Sequence, residues 1–398
     1  MHTDTAIIGG GVIGLTTAFE LSGQGASVVL VRGKHRPASL AAAGMLAPSF
    51  ESTPEGIEAD LFRLGMKGLA RWPSFATELE DVSGLCIDLR TSGILGAFAG
   101  KTNEALQVQR SRLAGAGVTA DILSAEELRE IEPCLADGSL AECGVGGLLV
   151  HGEGQVDPSC LLNALEAALE RRGIVRLEPD EIVRIEINAD RAAAMNSRGE
   201  SVISADQIIL ATGARNVPDI FVRNDLSSAA AAVRAWQVPV KGEALAVELP
   251  EGGPRRVIRT GDVYLCPKVD GRLVIGATEA RGLDDDTPDG EAIDRLRQKA
   301  NKIAPVLRHA PEISRWAGVR PGGADHAPII GVHSEIGKRL IFALGHYRNG
   351  ILLAPATAKL LSEIVSGREP DPHSAVFAPD RVSSSGIASA AMGDEGAR

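Results

Sequence analysis

The fold of this chain is decided by residues 5–31, whose sequence is TAIIGGGVIGLTTAFELSGQGASVVLV. The apolar run Thr5–Ile8 predicts a strand, Leu15–Leu21 predicts a helix, and Ser27–Val31 predicts a second strand. Both strands are continuously apolar, which is typical of parallel strands that are buried on both faces. The stretch therefore predicts a β-α-β unit of a parallel sheet.

The turn between the first strand and the helix carries Gly9, Gly11 and Gly14 at the spacing G-x-G-x-x-G. Glycines in this context allow a tight turn, close approach of the backbone to a pyrophosphate, and close helix packing. We therefore predict a dinucleotide site, the alternative being a purely structural glycine-rich turn. Arg32 follows the second strand, where an acidic residue usually binds the ribose hydroxyls. It favours either NADP, through the 2′-phosphate, or an arginine that lies against the ribose or adenine of FAD.

Two further apolar runs predict strands of the same sheet. Gln207–Ala211 is followed by Thr212 and Gly213, and Leu340–Leu344 is followed by Gly345. The carboxyl ends of such strands border the ligand crevice in open α/β sheets. The intervening block, roughly 217–315, predicts an antiparallel substrate domain. Its strand-like runs are Leu245–Val247, Val257–Arg259, Val263–Cys266 and Leu273–Ile275.

Elsewhere the periodicity mainly predicts helices. We expect helices over Ala59–Leu79, across Asn103–Leu135, and over Cys160–Arg172 with Gly173 as its C-cap, and a strand over Cys86–Leu95. The acidic run Asp284–Asp286 predicts a solvated loop before a helix near Pro288, because consecutive acids do not match a calcium loop. The serine-, alanine- and glycine-rich residues from Asp380 to the end predict a disordered tail.

The bulk composition narrows the class of protein. A length of 398 residues predicts two domains, and a formal net charge of −11 argues against a nucleic-acid binder. We found no apolar run of about twenty residues and no signal-peptide pattern. No metal site is expected, because the cysteines are scattered and no histidine cluster has metal spacing. We expect a cytoplasmic protein whose thiols are reduced and mostly buried, namely Cys86, Cys134, Cys143, Cys160 and Cys266.

Four segments spread along the chain carry a more specific signal: AAAGML (41–46), VKGE (240–243), WAGVRPG (316–322) and GHYRNGILLAP (345–355). They resemble, in the same order, the glycine oxidase branch of the D-amino-acid oxidase family of flavoproteins. The resemblance extends to about residue 378. It implies an α/β fold with a Rossmann-like FAD-binding domain of discontinuous segments, 1–84, 141–216 and 316–378. A substrate domain with an antiparallel sheet, 85–140 and 217–315, is inserted into it.

The resemblance also implies a set of contacts to non-covalent FAD. The glycine-rich turn, the ribose position, the segment near the flavin, the adenine side and the run around the isoalloxazine each contribute. These residues are Gly9, Gly11, Val12, Ile13, Gly14, Arg32, Gly33, Ser39, Ala43, Gly44, Met45, Ile182, Thr212, Gly213, His346, Tyr347, Arg348, Asn349, Gly350, Ile351 and Leu352.

Three side chains are expected at the substrate. Arg320 matches the family arginine that clamps the substrate carboxylate, and a planar guanidinium suits this role because it can donate two parallel hydrogen bonds. Tyr264 matches a tyrosine near the same carboxylate, the alternative being core packing. Arg348 matches a second arginine facing substrate or flavin, the alternative being a structural ion pair. His346 is expected to contact flavin through its backbone, so we assign no general base to its ring.

The implied activity is oxidation of glycine or a related small amino acid, such as sarcosine, D-alanine or D-proline. A hydride passes from the neutral amine to the flavin, leaving an imine that hydrolyses to an oxo acid or enters thiazole synthesis for thiamine, and dioxygen becomes hydrogen peroxide. The family also implies a homotetramer. One alternative is a D-amino-acid dehydrogenase or hydrogen cyanide synthase-like subunit that passes electrons to another acceptor. Another is a flavin-binding module without turnover, or an NADP-dependent protein.

Overall fold

The computed structural model describes residues 1–51, 56–97, 103–135, 146–179, 181–214, 217–261 and 263–382. The strands are β1 His2–Ile8, β2 Val28–Val31, β3 Met45–Leu46, β4 Ile94–Ala97, β5 Ala120–Leu123, β6 Gly147–Val150, β7 Gly154–Gln155, β8 Val175–Leu177, β9 Ile182–Ile187, β10 Ala192–Asn196, β11 Ser201–Leu210, β12 Asp219–Val222, β13 Asp225–Leu226, β14 Gln237–Glu248, β15 Val257–Arg259, β16 Tyr264–Pro267, β17 Arg272–Gly276, β18 Ala280–Arg281, β19 Glu312–Gly323, β20 Ile329–Val332 and β21 Leu340–Leu344. The helices are α1 Val12–Gly23, α2 Pro48–Glu51, α3 Gly56–Ser83, α4 Asn103–Gly115, α5 Ala125–Ile131, α6 Pro158–Arg171, α7 Ser228–Trp236, α8 Gly290–Ile303 and α9 Gly350–Val365. The mixed α/β fold class is confirmed.

The first sheet has a parallel centre in the order β8-β2-β1-β11-β21. β20 pairs antiparallel with β21. The first half of β11 pairs antiparallel with β10, and from there the sheet continues through β9, β12 and β13. The register places Ile8 beside both Val31 and Leu210. All four residues of β2 and all five of β21 are buried, as expected for strands covered on both faces.

Helices cover one face of this sheet. α1 packs against α9 and α6, and α9 packs against α3, so that their side chains form one core with the sheet. Gly68 of α3 allows this packing, because a Cβ there would lie 2.4 Å from the carbonyl oxygen of Leu352 in α9. Trp72 fixes the same contact by donating its ring N–H to that oxygen at 3.2 Å.

The second sheet is mainly antiparallel, in the order β18-β14-β17-β16-β15-β4-β6-β5, with β19 paired along the other edge of β14. Among its described strands, the β4-β15 pair alone runs parallel. α8 packs on this sheet through Ile293, Leu296 and Ala300. β14 to β17 confirm the four strand runs predicted from the sequence, and α8 begins two residues after Pro288.

Two of the predicted elements are wrong in part. Cys86–Leu95 is not one strand: Asp88 has a φ of +54° and Gly93 a φ of +90°, so the regular strand begins only at Ile94. The stretch 103–135 is not continuously helical either. α4 ends at Gly115, and β5 intervenes before α5 because Ala120–Leu123 pairs with β6.

The domain bounds remain a prediction. The second sheet includes β6 and β19, which fall wholly or largely in segments predicted for the FAD-binding domain, and the first sheet includes β12 and β13. The tail prediction is wrong for Asp380–Val382, because Arg381 pairs with Asp325 at 3.0 Å and Val382 is buried; residues 383–398 lie outside the described part. Cys86, Cys134, Cys160 and Cys266 are free, and Cys143 is outside the described residues.

The carboxyl ends of the parallel strands meet at one edge of the first sheet. Gly9 follows β1, Arg32 follows β2, Ala211 follows β11 and Gly345 follows β21, and all of them border one cavity. Within the described residues, no helix combines the length and the apolar character that crossing a bilayer would require.

Candidate active site

A cavity of about 440 Å³ lies between this edge and the second sheet. It brings together most of the residues that the sequence predicted. Those that line it are Gly9, Gly11, Val12, Ile13, Arg32, Gly33, Ser39, Ala43, Gly44, Met45, Ile182, Thr212, Gly213, Tyr264, Arg320, His346, Tyr347, Arg348, Gly350 and Ile351. Gly14, Asn349 and Leu352 do not line it. The individual contacts of all these residues to a cofactor remain predictions.

The three motif glycines differ in what the packing demands of them. Gly9 has a φ of +135°, and a Cβ there would lie 2.0 Å from the carbonyl oxygen of Ala211. At Gly14 a Cβ would lie 1.9 Å from the carbonyl oxygen of Gly9. At Gly11 the nearest atom would be Ser39 Oγ at 3.6 Å, which is an ordinary contact. The fold therefore requires Gly9 and Gly14, whereas Gly11 leaves space on the cavity side for a group to approach the backbone.

The N-terminus of α1 also opens toward this cavity. Gly11 caps the helix without a side chain, the first turn contains no acidic residue, and Val12 N–H donates to Ser39 Oγ at 3.0 Å. Such a helix end carries partial positive charge and attracts a phosphate group. The geometry therefore fits the pyrophosphate of a dinucleotide.

Eleven buried side-chain polar atoms have no hydrogen-bond partner among the described residues, and two of them, Thr212 Oγ1 and Asn349 Oδ1, belong to predicted FAD contacts. Of the eleven residues, Thr212 is the one that lines the cavity. Buried polar atoms in proteins are nearly always satisfied, so a bound group with polar atoms is expected beside Thr212. Together with the glycine turn, this hydroxyl fits FAD.

Arg32 is already paired with acidic residues. Its guanidinium lies 2.7 Å from a carboxylate oxygen of Glu166 and 3.5 Å from one of Glu178. Its backbone N–H donates to the carbonyl oxygen of Leu177. The two carboxylates compensate the charge of Arg32, so this arginine gives little support to a site for the 2′-phosphate of NADP.

Arg320 lies in β19 and is held by backbone carbonyls. Its Nη1 donates to Thr278 O at 3.2 Å and to Lys241 O at 3.4 Å. The guanidinium occupies the space beside Gly242, where a Cβ would lie 2.2 Å from Cζ and both terminal nitrogens. Arg320 forms no ion pair with any carboxylate in the described residues, so its positive charge is available to a ligand.

Tyr264 begins β16, and its side chain borders the same cavity while being largely buried. Burial raises the pKa of its phenol to about 12, because the charged phenolate is disfavoured away from water. The neighbouring Gly276 makes room for the ring, since a Cβ there would lie 2.1 Å from the hydroxyl oxygen. Tyr264 is therefore a neutral hydroxyl donor facing the cavity, and its burial satisfies the core-packing alternative as well.

Arg348 lines the cavity and also forms ion pairs, so the structural alternative is observed while its contact with substrate or flavin remains a prediction. Its Nε lies 3.3 Å from Glu51 and its Nη1 lies 3.2 Å from Glu279. Arg259 pairs with Glu51 as well, and the hydroxyl of Tyr347 donates to Glu279 at 2.6 Å. Two arginines thus meet two carboxylates here, and of these four residues Glu51 and Arg348 line the cavity.

His346 has no suitable chemistry for a general base. Burial lowers the pKa of its imidazole to about 3, so the ring is neutral and a very weak base. Its Nε2 lies 3.1 Å from Thr357 Oγ1 in α9. This agrees with the expectation that the ring of His346 serves no proton transfer.

Many residues of the cavity wall were not assigned from the sequence, and they include Glu51, Asp286 and Gly242. Glu279, which pairs with Arg348, was missed as well. Gly242 lies within the quoted VKGE segment, and Glu51 is the first acidic residue after the AAAGML segment. The neighbouring motifs were a signal for Gly242 and Glu51. The arginines that these two residues contact are far away in sequence, so the contacts themselves had no sequence signal.

A glycine-rich turn on a parallel sheet, the unsatisfied hydroxyl of Thr212 and an arginine without an ion pair among the described residues border the same cavity. This combination fits a flavoprotein that binds a small acidic ligand. The family model described as FAD dependent oxidoreductase (DAO) matches residues 4–364, and the chain belongs to this family. The predicted family and its FAD cofactor are thereby confirmed.

Among its particular relatives are glycine oxidases. That of Geobacillus kaustophilus is 32% identical over 371 residues, which cover 92% of this chain and 93% of the relative. That of Pseudomonas aeruginosa is 30% identical over 391 residues, covering 95% and 99%. The crystal structure of glycine oxidase from Geobacillus kaustophilus superposes with a TM-score of 0.82 at 29% identity, covering 96% of this chain and 99% of that chain.

Proposed function

We propose that this chain oxidises glycine or a related small amino acid to its imine and transfers the electrons to dioxygen, producing hydrogen peroxide. The similarity to glycine oxidases supports this activity. One observation carries the substrate class: Arg320 is an arginine of the cavity wall whose only described hydrogen-bond acceptors are two neutral carbonyls.

The charges around Tyr264 favour a substrate with one carboxylate. Arg348 and Arg259 face Glu51 and Glu279, so their charges are compensated within the protein. Arg320 has no carboxylate partner among the described residues, so it leaves one positive charge at this place. A carboxylate can accept two parallel hydrogen bonds from a guanidinium, which fixes both its location and its orientation.

The other side chains help to bind and orient the substrate. The neutral hydroxyl of Tyr264 can donate to the same carboxylate, because its raised pKa keeps it protonated. Bound FAD supplies the electron-accepting chemistry of the reaction. The protein contributes position and exclusion of water, and Arg320 limits the rotation of the substrate about its carboxylate.

Anaerobic titration of the yellow holoenzyme tests this proposal. Glycine, sarcosine, D-alanine and D-proline are each added while the flavin absorbance is recorded, and oxygen is then admitted and peroxide assayed. At least one amine should bleach the flavin, and peroxide should then appear. If no amine bleaches the flavin, the proposed activity is wrong; bleaching that persists in oxygen and reverses only with a quinone would establish the dehydrogenase alternative.

Arg320→Ala tests the binding of the carboxylate, with Arg315→Ala as its matched control. Arg315 lies in the same strand but pairs with Glu312 and Asp294 at the surface. Loss of a hydrogen bond to a charged group costs about 1.5–3 kcal/mol, so KM should rise about ten-fold to hundred-fold in R320A. KM should stay near the wild-type value in R315A. An unchanged KM in R320A would remove Arg320 from the substrate site.

We also propose that the product serves thiamine thiazole synthesis and that the enzyme is a cytoplasmic homotetramer. Similarity to the bifunctional protein ThiO/ThiG of Trichormus variabilis supports the first point: it is 32% identical over 383 residues, covering 94% of this chain and 54% of that protein. The four cysteines within the described residues are free, which is consistent with a reducing compartment. Light scattering on the purified holoenzyme would reveal a different oligomer, and growth of a deletion strain without thiamine would refute the metabolic role.

A further inference from the structure

Lys268 is a buried cation that the proposed chemistry does not use. It follows β16, and only 3% of its surface is exposed. Its ammonium donates to Ala43 O at 2.7 Å, Gln155 Oε1 at 2.9 Å and Val156 O at 3.1 Å. All three donors are satisfied, but every acceptor is neutral. Burial lowers the pKa of this lysine, and the nearby carboxylates of Asp157 and Asp88 oppose that effect through space without bonding to the ammonium. Burying an ammonium on neutral acceptors is costly, so this lysine calls for an explanation beyond simple packing.

One acceptor of Lys268, Ala43 O, belongs to the segment Ala43–Met45, which lines the cavity, and a second, Val156 O, lies beside Gly44 of this segment. Val156 N–H donates to Gly44 O at 2.9 Å. Gly44 has a φ of +80°, and a Cβ there would lie 2.0 Å from Val156 O. Lys268 and Val156 do not line the cavity themselves. The carbonyls of Ala43 and Gly44 are therefore both held from the side away from the cavity.

Lys268 also connects this segment to the substrate side. Tyr264 begins the four-residue strand β16 that ends just before Lys268. At the end of this strand, Pro267 O accepts a hydrogen bond from Gln155 Nε2 at 2.7 Å. Gln155 therefore binds both Lys268 and the backbone of β16. The buried polar cluster of Lys268 and Gln155 therefore holds the strand that carries Tyr264 at a fixed position relative to the segment Ala43–Met45.

We propose that Lys268 is a positioning residue that holds Ala43–Met45 in the conformation that binds FAD and fixes the place of Tyr264 relative to the flavin. Without the ammonium, the carbonyls of Ala43 and Val156 would each lose a donor. The segment would then have to rearrange or admit water. FAD would bind more weakly, and Tyr264 would no longer be held at a fixed distance from the flavin.

Lys268→Met tests this proposal, because methionine fills similar space and has no donor. The apoprotein is titrated with FAD, and the change in flavin fluorescence gives Kd without any substrate. The expected rise in Kd is about ten-fold to hundred-fold, the range for losing a hydrogen bond to a charged group. Lys268→Arg, which keeps charge and donors, should restore part of the affinity. FAD affinity does not depend on which amine is oxidised. The positioning role of Lys268 can therefore be confirmed even if the proposed activity is refuted.

Arg256→Met is the matched control, because it too removes a cation from a partly buried position. Arg256 pairs with Glu132 at 2.9 Å and does not contact Ala43–Met45. It should lower the melting temperature while FAD affinity stays within about three-fold of wild type. Wild-type affinity in K268M, or an equal loss in R256M, would overturn the proposal. If K268M does not fold, Gln155→Leu decides the matter: it removes one acceptor and the link to Pro267, and unchanged FAD affinity there would equally overturn it.

Discussion

Adding one methyl group at Gly242 should displace the side chain of Arg320, the arginine proposed to bind substrate, while Arg320 itself is not mutated. A Cβ at this position would lie 2.2 Å from Cζ and both terminal nitrogens of Arg320. Ordinary contacts between carbon atoms are about 3.5–4.0 Å, so the guanidinium of Gly242→Ala must move by about 1.3–1.8 Å. Misplacement by about 1 Å can cost about a hundred-fold in rate, and losing the charged hydrogen bond acts mainly on binding. We expect kcat/KM for glycine to fall about a hundred-fold, chiefly through KM.

The assay is steady-state peroxide production by FAD-loaded enzyme over a range of glycine concentrations. Gly261→Ala is the control, since a Cβ there meets nothing within 4 Å. Its kinetics should match the wild type. The flavin spectrum and melting temperature establish that G242A is folded and loaded with cofactor. A folded G242A enzyme with wild-type KM would refute the reasoning, because the guanidinium cannot remain in place beside the new methyl group.

Three further predictions concern the cofactor turn and the buried titratable groups. Gly9→Ala should lower the melting temperature strongly, whereas Gly11→Ala should keep it and weaken FAD binding, as measured by fluorescence titration; equal melting temperatures would contradict the packing distances. Tyr264→Phe should raise KM about ten-fold through the lost hydroxyl, while the wild-type pH–rate profile should show no limb from this phenol below about pH 11, since its pKa is about 12. His346 has a folded pKa of about 3 and an ordinary value of 6.5, so the unfolded state binds more protons between these pH values and stability falls as pH decreases. Denaturant titrations should show a slope of up to about 1.4 kcal/mol per pH unit from this residue, and His346→Gln should reduce the slope; an unchanged slope would place its pKa elsewhere.

The parallel sheet and its glycine turn were predictable because their signals are local. β21 has the bounds that the sequence predicted, and β2 differs by one residue. The break at Asp88 and Gly93 was not predictable, because apolar content alone does not reveal residues with positive φ. The short strand β5 was missed because its pairing with β6 is a tertiary contact.

In the candidate site too, residues within a sequence motif were predictable, whereas pairs of residues far apart in sequence were not. Arg320 and Tyr264 were placed by motif, and both line the cavity. The pairing of Arg348 with Glu51 joins residues almost 300 positions apart, and no periodicity or spacing connects them. The carboxylates that compensate Arg32 come from α6 and from the loop after β8, so the sequence could not decide between its roles.

The contacts of Lys268 have a consequence for recombination among related enzymes. The hairpin β16-β17 carries both Tyr264, which lines the cavity and is proposed to contact substrate, and Lys268, whose ammonium donates to Ala43 O and is proposed to support the cofactor-lining segment. A hairpin grafted from a relative to alter substrate preference would therefore also replace a support of the flavin site. Chimeric enzymes should keep their cofactor only when the hairpin, Ala43–Met45 and Gln155 are exchanged as one set, and natural changes of substrate preference within this fold are constrained in the same way.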